Sequence, residues 1–225
     1  MSFADKKLSE IAISIPGSTA LLREYDLDFC CGGADTLGAA VAEKNLNLAE
    51  IETRLTELQE SKQQDDEQRW LTAPYAEIID HIIHRYHERH RAQLQELIVL
   101  AERVESVHGD RDDCPVGVAA ELHNVYADLS SHMMKEEQIL FPMIKMGNYA
   151  MARMPIQVME HEHAEHGEHL EVLKALTNNL TPPADACNTW RALYSGIKEF
   201  MDDLMMHIHT ENNILFPRVI EEGSR

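Results

Sequence analysis

The chain has 225 residues, 44% hydrophobic and 26% charged, a composition typical of a globular protein rather than a disordered or fibrous one. Lys and Arg number 20 and Asp and Glu number 39, and the resulting formal net charge of −19 argues against nucleic acid or an anionic membrane as the main partner. No apolar run reaches the length of a membrane span, and the charged residues at 5–10 leave no room for a signal-peptide core. The four cysteines do not resemble a disulfide framework, so we expect a cytoplasmic protein.

Residues 1–60 are expected to form a small helical domain, because leucine and isoleucine recur at helical spacing through 46–58. Within this domain Cys30 and Cys31 are followed by two glycines, which allow a tight turn. Adjacent cysteines do not easily pair with each other, since a disulfide needs Cβ atoms that face one another. If the thiols are partly exposed near a helix N-terminus, one of them is expected to be a low-pKa thiolate that can bind iron, nitric oxide or a thiol partner. The alternative is a pair of small buried apolar residues.

Residues 61–72 are interpreted as a linker because they are mostly polar and lack apolar periodicity. Residues 73–222 are predicted to form an up-down-up-down four-helix bundle, so the whole chain is expected to be all-α. Pro74 and Pro155 stand where a helix-opening proline is tolerated. The four helical segments are 75–107, 116–146, 155–178 and 186–220.

An internal repeat runs through the bundle. The sequence HMMKEEQILFP at 132–142 corresponds to HIHTENNILFP at 207–217, and the pattern His-x-x-His-x-x-x-Leu begins at both His87 and His163. Packing alone explains repeated apolar spacing, but it gives no reason to repeat His and Glu at inward positions. The bundle is therefore predicted to consist of two related helical hairpins that carry the same polar groups.

Helical geometry places several of these polar groups in the core. Residues four apart lie about 40° apart on a helix, so His132 and Glu136 share a face, as do His207 and Glu211. On the first and third helices two histidines each fall within the apolar stripe, whereas His81, His84, His161 and His169 lie to its side. The residues expected to share the inward faces are Ile79, Ile83, His87, His90, Leu94, Val125, Ile139, Met143, Ile156, Met159, His163, His166, Leu170, Leu193, Phe200 and Ile214.

These inward groups favour a dinuclear metal site. Two buried carboxylates without partners are expensive, and metal ions supply the missing positive charge. Imidazole and carboxylate ligands without a thiolate fit iron, with manganese or zinc as competitors. The alternative is a satisfied polar network or an exposed histidine face. The spacing does not decide between His87 and His90 as the ligand from the first helix, or between His163 and His166 as the ligand from the third. In each pair the other histidine would support the ligand without binding the metal.

One inward histidine per helix, with His-x-x-x-Glu on the second and fourth helices, resembles the hemerythrin-like di-iron bundles. Gly167 stands where oxygen-carrying hemerythrins have a further histidine, and Glu211 replaces their later aspartate, which weakens the oxygen-carrier interpretation. The whole chain resembles the iron-sulfur cluster repair di-iron proteins, the RIC or YtfE family. The motifs that carry this resemblance are DFCCGG at 28–33, SSHMMKEEQILFP at 130–142, TNNLTPP at 177–183 and ENNILFP at 211–217.

The resemblance implies two non-haem iron ions, with both glutamates bridging and an oxo or hydroxo group between the irons. It also implies cytoplasmic action under nitrosative and oxidative stress, in which iron is donated to damaged or apo iron-sulfur proteins. The cysteine domain, joined by a linker to the metal site, suggests the hypothesis that Cys30 or Cys31 assists the transfer. Two alternatives remain: reduction of nitric oxide to nitrous oxide at the metal pair, and a sensor or carrier of oxygen or nitric oxide. The oligomeric state is left open, a homodimer included. The implied ligands are His87, His132, Glu136, His163, His207 and Glu211.

Overall fold

The computed structural model describes residues 2–61 and 66–224, and all regular structure within them is helical apart from one isolated β-bridge between Lys7 and Thr36. The prediction of an all-α fold is confirmed. Within the same residues, no helix is both long enough and apolar enough to cross a membrane. The N-terminal unit contains four helices, α1 (Leu8–Ser14), α2 (Ser18–Glu24), α3 (Leu37–Glu43) and α4 (Leu48–Glu60).

The predicted linker at 61–72 lies partly outside the described residues, at 62–65. Its later part contains a 3-10 turn, Asp66–Leu71. The indole of Trp70 stacks on His81 with ring centroids 4.2 Å apart, and Arg218 donates a hydrogen bond of 2.9 Å to the Trp70 carbonyl. The residues that lead into the bundle are therefore held against both its first and its last helix.

Four long helices form the bundle as a closed ring of neighbours. The first packs against the second and the fourth, and the third packs against the same two helices. Pro74 precedes the first helix directly, as the sequence suggested. The helices are α5 (75–108), α6 (118–145), α7 (Tyr149–Leu176) and α8 (188–223).

Three of the bundle helices are interrupted by π-helical turns, at Ile82–His87, Glu136–Leu140 and Thr210–Leu215. In α6 and α8 the turn is followed by a phenylalanine and a proline. Pro142 and Pro217 lack a backbone N–H, and each ring would clash with the carbonyl four residues earlier in a regular α-helix, which the wider turn avoids.

The π turn in α6 changes which side chains face the core. The prediction that Ile139 lies in the core is wrong: its side chain is 53% exposed, whereas Leu140 is buried. The extra residue in the wider turn rotates everything after it, so a spacing based on 3.6 residues per turn fails beyond Glu136.

The third helix begins at Tyr149, so the expectation that Pro155 opens it is wrong. Pro155 is instead the seventh residue of this helix. It removes one hydrogen bond that would reach back to the carbonyl of Met151, and the remaining turns of a 28-residue helix tolerate that loss.

A polar layer divides the interior of the bundle between two apolar clusters. One cluster is continuous from the N-terminal unit into the near end of the bundle, with Leu22 and Phe141 among its members. The other fills the far end, around Leu122 and Trp190. The inward histidines and glutamates lie between these clusters, so apolar packing on both sides stabilises a fold whose middle is polar.

The N-terminal unit contacts the bundle beside this polar layer. Asn212 and Asn213 on α8 donate hydrogen bonds to the backbone carbonyls of Cys30 and Phe29, at 3.2 and 2.8 Å. Lys174 on α7 forms an ion pair with Asp26 at 2.6 Å. The cysteine-bearing loop is thus anchored on the two helices that form the second hairpin.

We expect opposite effects from the same substitution at two glycines. A Cβ on Gly33 would lie 2.5 Å from the carbonyl oxygen of Phe29, so Gly33→Ala should lower the free energy of unfolding by about 1–3 kcal/mol. A Cβ on Gly167 would meet nothing within 4 Å, so Gly167→Ala should raise it by about 0.5–1 kcal/mol through helix propensity. Urea unfolding of both variants measures the difference, and equal effects would contradict it.

Candidate metal centre

Four imidazoles and two carboxylates from all four bundle helices meet in the polar layer. All six side chains are buried. Their ligand atoms form two sets, within each of which all atoms lie within 4.8 Å of one another, and both sets share the same two glutamates. The sets are His87, His207, Glu136 and Glu211, and His132, His163, Glu136 and Glu211.

Each glutamate touches one histidine of each set. Glu136 Oε2 lies 3.3 Å from His87 Nε2 and 3.4 Å from His132 Nε2. Glu211 lies 3.1 Å from His163 Nε2 through Oε2 and 3.3 Å from His207 Nε2 through Oε1. Each glutamate is therefore close to a histidine of both sets and can supply a carboxylate oxygen to a metal ion.

The outer nitrogens of three histidines are held by side chains outside the two sets. A carboxylate or amide oxygen in this position accepts the Nδ1 hydrogen, which leaves the Nε2 lone pair directed at the centre, as metal-binding histidines require. The amide of Asn212 is oriented by its second bond, from Nδ2 to the Cys30 carbonyl. The pairs are His87 with Glu137 at 2.8 Å, His132 with Glu162 at 3.0 Å and His163 with Asn212 at 2.8 Å.

The two shared glutamates have unmet hydrogen-bonding capacity. Within the described residues, none of the four carboxylate oxygens of Glu136 and Glu211 has a hydrogen-bond partner, although all four are buried. The nearby Nε2 atoms approach them without the geometry of a hydrogen bond. Leaving two buried carboxylates in this state is very costly without a cation, so the residues fit a pair of metal ions.

Protons occupy this centre when metal does not. Burial opposes protonation of His87 and His132, but the nearby carboxylates, with Glu136 first among them, outweigh it and raise the pKa of each imidazole to about 9. Burial and repulsion from Glu136 raise the pKa of Glu211 to about 7. Burial also acts to raise the pKa of Glu136, but contacts with His132 and His87 hold it below its usual value.

His90 and His166, the alternatives that the sequence left open, are both buried but belong to neither set. The structure thus brings His87 of α5 and His163 of α7 together with one histidine and one glutamate from each of α6 and α8. Of the four off-stripe histidines, His84 and His161 are exposed, whereas His81 and His169 are partly buried.

The cysteine pair lies directly beside the centre. The Cys31 thiol donates to the backbone carbonyl of His163 at 3.3 Å, and the two sulfurs are 3.8 Å apart. The expected conditions for a low-pKa thiolate are not met at Cys30: no helix begins at this pair, and the hydrogen bond with Cys31, burial and the charge of Asp28 all raise the pKa of its thiol.

Sequence reasoning missed the side chains that support these groups. Asp28 Oδ1 accepts hydrogen bonds from the backbone N–H groups of Cys30 and Cys31 and from the Cys30 thiol. One carboxylate therefore fixes the conformation of the loop and lies close to both sulfurs. The Asp-x-Cys-Cys spacing, typical of an aspartate turn, was the available signal. Glu137 follows Glu136 directly, but adjacency does not show that it turns toward His87.

The family described as hemerythrin HHE cation binding domain matches residues 78–219, and a domain of unknown function, DUF542, matches residues 4–59. A protein of Haemophilus influenzae named "Probable iron-sulfur cluster repair protein" is 69% identical over 222 residues, which cover 99% of this chain and 100% of that protein. This chain belongs to the iron-sulfur cluster repair family. Repair proteins named YtfE from Musicola paradisiaca and Citrobacter koseri are 56% and 57% identical to it over 220 residues.

For this repair-family chain, the hemerythrin match spans all six converging residues. One observation is a similarity of sequence and the other is the burial and convergence of the side chains. Together they support metal binding in the polar layer of the bundle.

Glu136→Leu and Glu211→Leu should each weaken metal binding at both positions of the pair, because each glutamate belongs to both sets. The loss of affinity should exceed the roughly 10–100-fold that follows removal of a group behind a ligand. Iron content after anaerobic loading and desalting measures the effect. Glu88→Leu, at an exposed site on α5, is the control. Two irons per chain in either variant would contradict the shared-carboxylate arrangement.

Metal uptake should release protons. At pH 8, His87 and His132 are protonated in the metal-free protein because their pKa values are about 9, so loading with Fe(II) should release about two protons per chain. Below about pH 7 a third proton comes from Glu211, and apparent affinity should therefore rise with pH up to about 9. Calorimetry in buffers of different ionisation enthalpy counts the protons, and uptake at pH 8 without release would be the contrary result.

Proposed function

We propose that this protein repairs damaged iron-sulfur clusters by donating iron from the centre in its bundle. Membership of the repair family supports the biological role, and the geometry of the polar layer supports the source of the iron. The acceptors are damaged or apo iron-sulfur proteins. We place this activity in the cytoplasm under nitrosative and oxidative stress.

The centre holds two iron ions in this proposal, one in each set, with both glutamates as bridges. The ions, when bound, supply redox chemistry, Lewis acidity and the iron that is transferred. The protein fixes the tautomers of three histidines through Glu137, Glu162 and Asn212 and excludes solvent from both glutamates. The ligands are His87, His132, Glu136, His163, His207 and Glu211.

The division of labour follows the proposed domains. Residues 73–222 hold the iron, residues 1–60 carry the cysteines, and residues 61–72 join the two. The observation that supports the donor function most directly is the contact of the Cys31 thiol with the His163 backbone, because a sulfur ligand then lies next to one residue of the set that contains His132 and His163. The iron held by His132 and His163 is therefore the one transferred first.

A transfer route begins at this contact. One ligand atom from each of Asp28, Cys30 and Cys31 lies within 4.8 Å of the others, which is close enough to hold a metal ion in transit. The same three residues line a cavity of about 640 Å³ between the N-terminal unit and the bundle. Lys174 also lines this cavity, in which a cluster-binding segment of an acceptor has room to approach the thiols.

Reduction of nitric oxide is the second candidate, favoured by the two sets that share both glutamates and so bring two metal ions side by side. In this reaction two nitric oxide molecules, two protons and two electrons give nitrous oxide and water. An N–N bond forms, one oxygen leaves as water, and a one-electron donor such as a reduced iron-sulfur protein or flavoprotein supplies the electrons. Many turnovers with such a donor would favour this function, and a single stoichiometric reaction would favour iron donation.

The donor function predicts that iron moves to an acceptor. Anaerobically loaded protein, mixed with an apo iron-sulfur protein, sulfide and a weak chelator, should lose iron as cluster absorption appears on the acceptor. Free Fe(II) at the same concentration should perform poorly because the chelator captures it. Retention of the iron with no cluster formed would refute donation.

The Cys30→Ala/Cys31→Ala double variant should keep its iron, because neither thiol belongs to the two sets, but it should transfer iron at least about tenfold more slowly. Cys187→Ala, at an exposed cysteine far along the chain, is the matched control. An unchanged transfer rate in the double variant would return the cysteine pair to a purely structural role.

A further inference from the structure

Two buried histidines lie beside the metal centre without belonging to it. His90 on α5 and His166 on α7 are 0% and 4% exposed, and each follows a proposed ligand by three residues. The His90 ring lies 5.3 Å from that of His207, and the His166 ring lies 4.9 Å from that of His132. Each half of the repeat therefore places one extra imidazole against a ligand of the metal pair.

A chain of hydrogen bonds fixes the tautomer of His90. Gln93 Nε2 donates to Asp203 Oδ2 at 2.9 Å, and that carboxylate is itself held by Arg85 and Arg89. The Gln93 amide oxygen must then be the atom that faces His90 Nδ1, at 3.4 Å. Because an amide oxygen only accepts hydrogen bonds, Nδ1 carries the hydrogen and Nε2 has a free lone pair.

That lone pair is buried and unsatisfied. Among the described residues, neither His90 Nε2 nor His166 Nε2 has a hydrogen-bond partner. A buried acceptor left unpaired costs free energy that an apolar side chain of the same size would avoid. The cost occurs at equivalent positions in both hairpins, so both imidazoles are expected to gain a partner once the centre is loaded.

We infer that His90 and His166 each hold a water or hydroxide beside the metal pair, one in each half of the centre. The His90 tautomer selects this class of ligand, because Nε2 accepts a hydrogen bond and the partner must bring a proton. His166 also lines a cavity of about 460 Å³, which gives solvent a place next to its ring. The inference rests on the proposed iron pair.

Oxygen-17 couplings test this directly. In ¹⁷O-labelled water, the mixed-valent iron-loaded protein should show solvent ¹⁷O coupled to the iron spin. In His90→Leu and His166→Leu the part of this signal that comes from water or hydroxide that does not bridge the irons should fall by about half each, and in the double variant that part should be largely lost. Iron content should remain at two per chain. His84→Leu and His161→Leu, the same change at exposed sites on the same helices, should leave the signal intact.

Two further measurements separate the alternatives. Metal-free His166→Leu should melt no lower than the metal-free wild type, since the substitution removes a buried nitrogen that has no partner among the described residues, and His90→Gln should retain the ¹⁷O signal because its amide still forms hydrogen bonds. A loss of iron would make the histidines ligands, and a lower melting temperature with an unchanged ¹⁷O signal would make them structural; both outcomes overturn the inference. Failure of the iron-pair proposal itself would appear separately, as fewer than two irons in the wild type.

Discussion

The structure is organised around two carboxylates that are buried in the middle of a helical bundle and face one another. Glu136 and Glu211 have no hydrogen-bond partner among the described residues, and without cations their charges would oppose folding. The surrounding residues reduce this cost. Four imidazoles contact the carboxylates, and the Nδ1 atoms of three of these rings form hydrogen bonds with side chains outside the centre. Apolar clusters pack against the polar layer on both sides. The π turns begin at or near the same residues, as is frequent where a helix carries a functional group.

The repeat explains the near-symmetry of the centre, and a small difference between its halves explains where the N-terminal unit binds. After the shared glutamate, the first hairpin continues with Glu137 and Gln138, whereas the second continues with Asn212 and Asn213. The two asparagines donate to backbone carbonyls of the cysteine loop, and Asn212 also accepts from His163. An amide can do both, because it has a donor and an acceptor, while an ionised carboxylate only accepts. The presence of Asn212 where the first hairpin has Glu137 therefore couples the position of the cysteines to the orientation of the His163 imidazole.

The sequence was sufficient to predict features that depend on helical periodicity or on the repeat, and insufficient for those that depend on local backbone geometry. The helical bundle and the inward direction of His132 and Glu136 follow from spacing alone, whereas selecting His87 over His90 also used the family resemblance. The π turn that exposes Ile139 leaves no trace in a periodicity based on 3.6 residues per turn. The raised pKa of Cys30 depends on its hydrogen bond with Cys31, on burial and on the nearby carboxylate of Asp28, an arrangement that composition does not reveal.

The proposed iron donation requires the protein to remain folded without its metal, and the charges of the centre favour this. In the metal-free state His87 and His132 accept protons because the nearby carboxylates, with Glu136 first among them, raise their pKa values to about 9, so imidazolium ions replace the metal charge next to the carboxylate. Glu211, with a pKa raised to about 7, is about half protonated near neutral pH, which removes part of the remaining repulsion. The groups that bind the metal thus exchange it for protons, and the apolar clusters on either side need not change. Iron release from such a centre is a replacement of charge within a standing fold rather than an unfolding event.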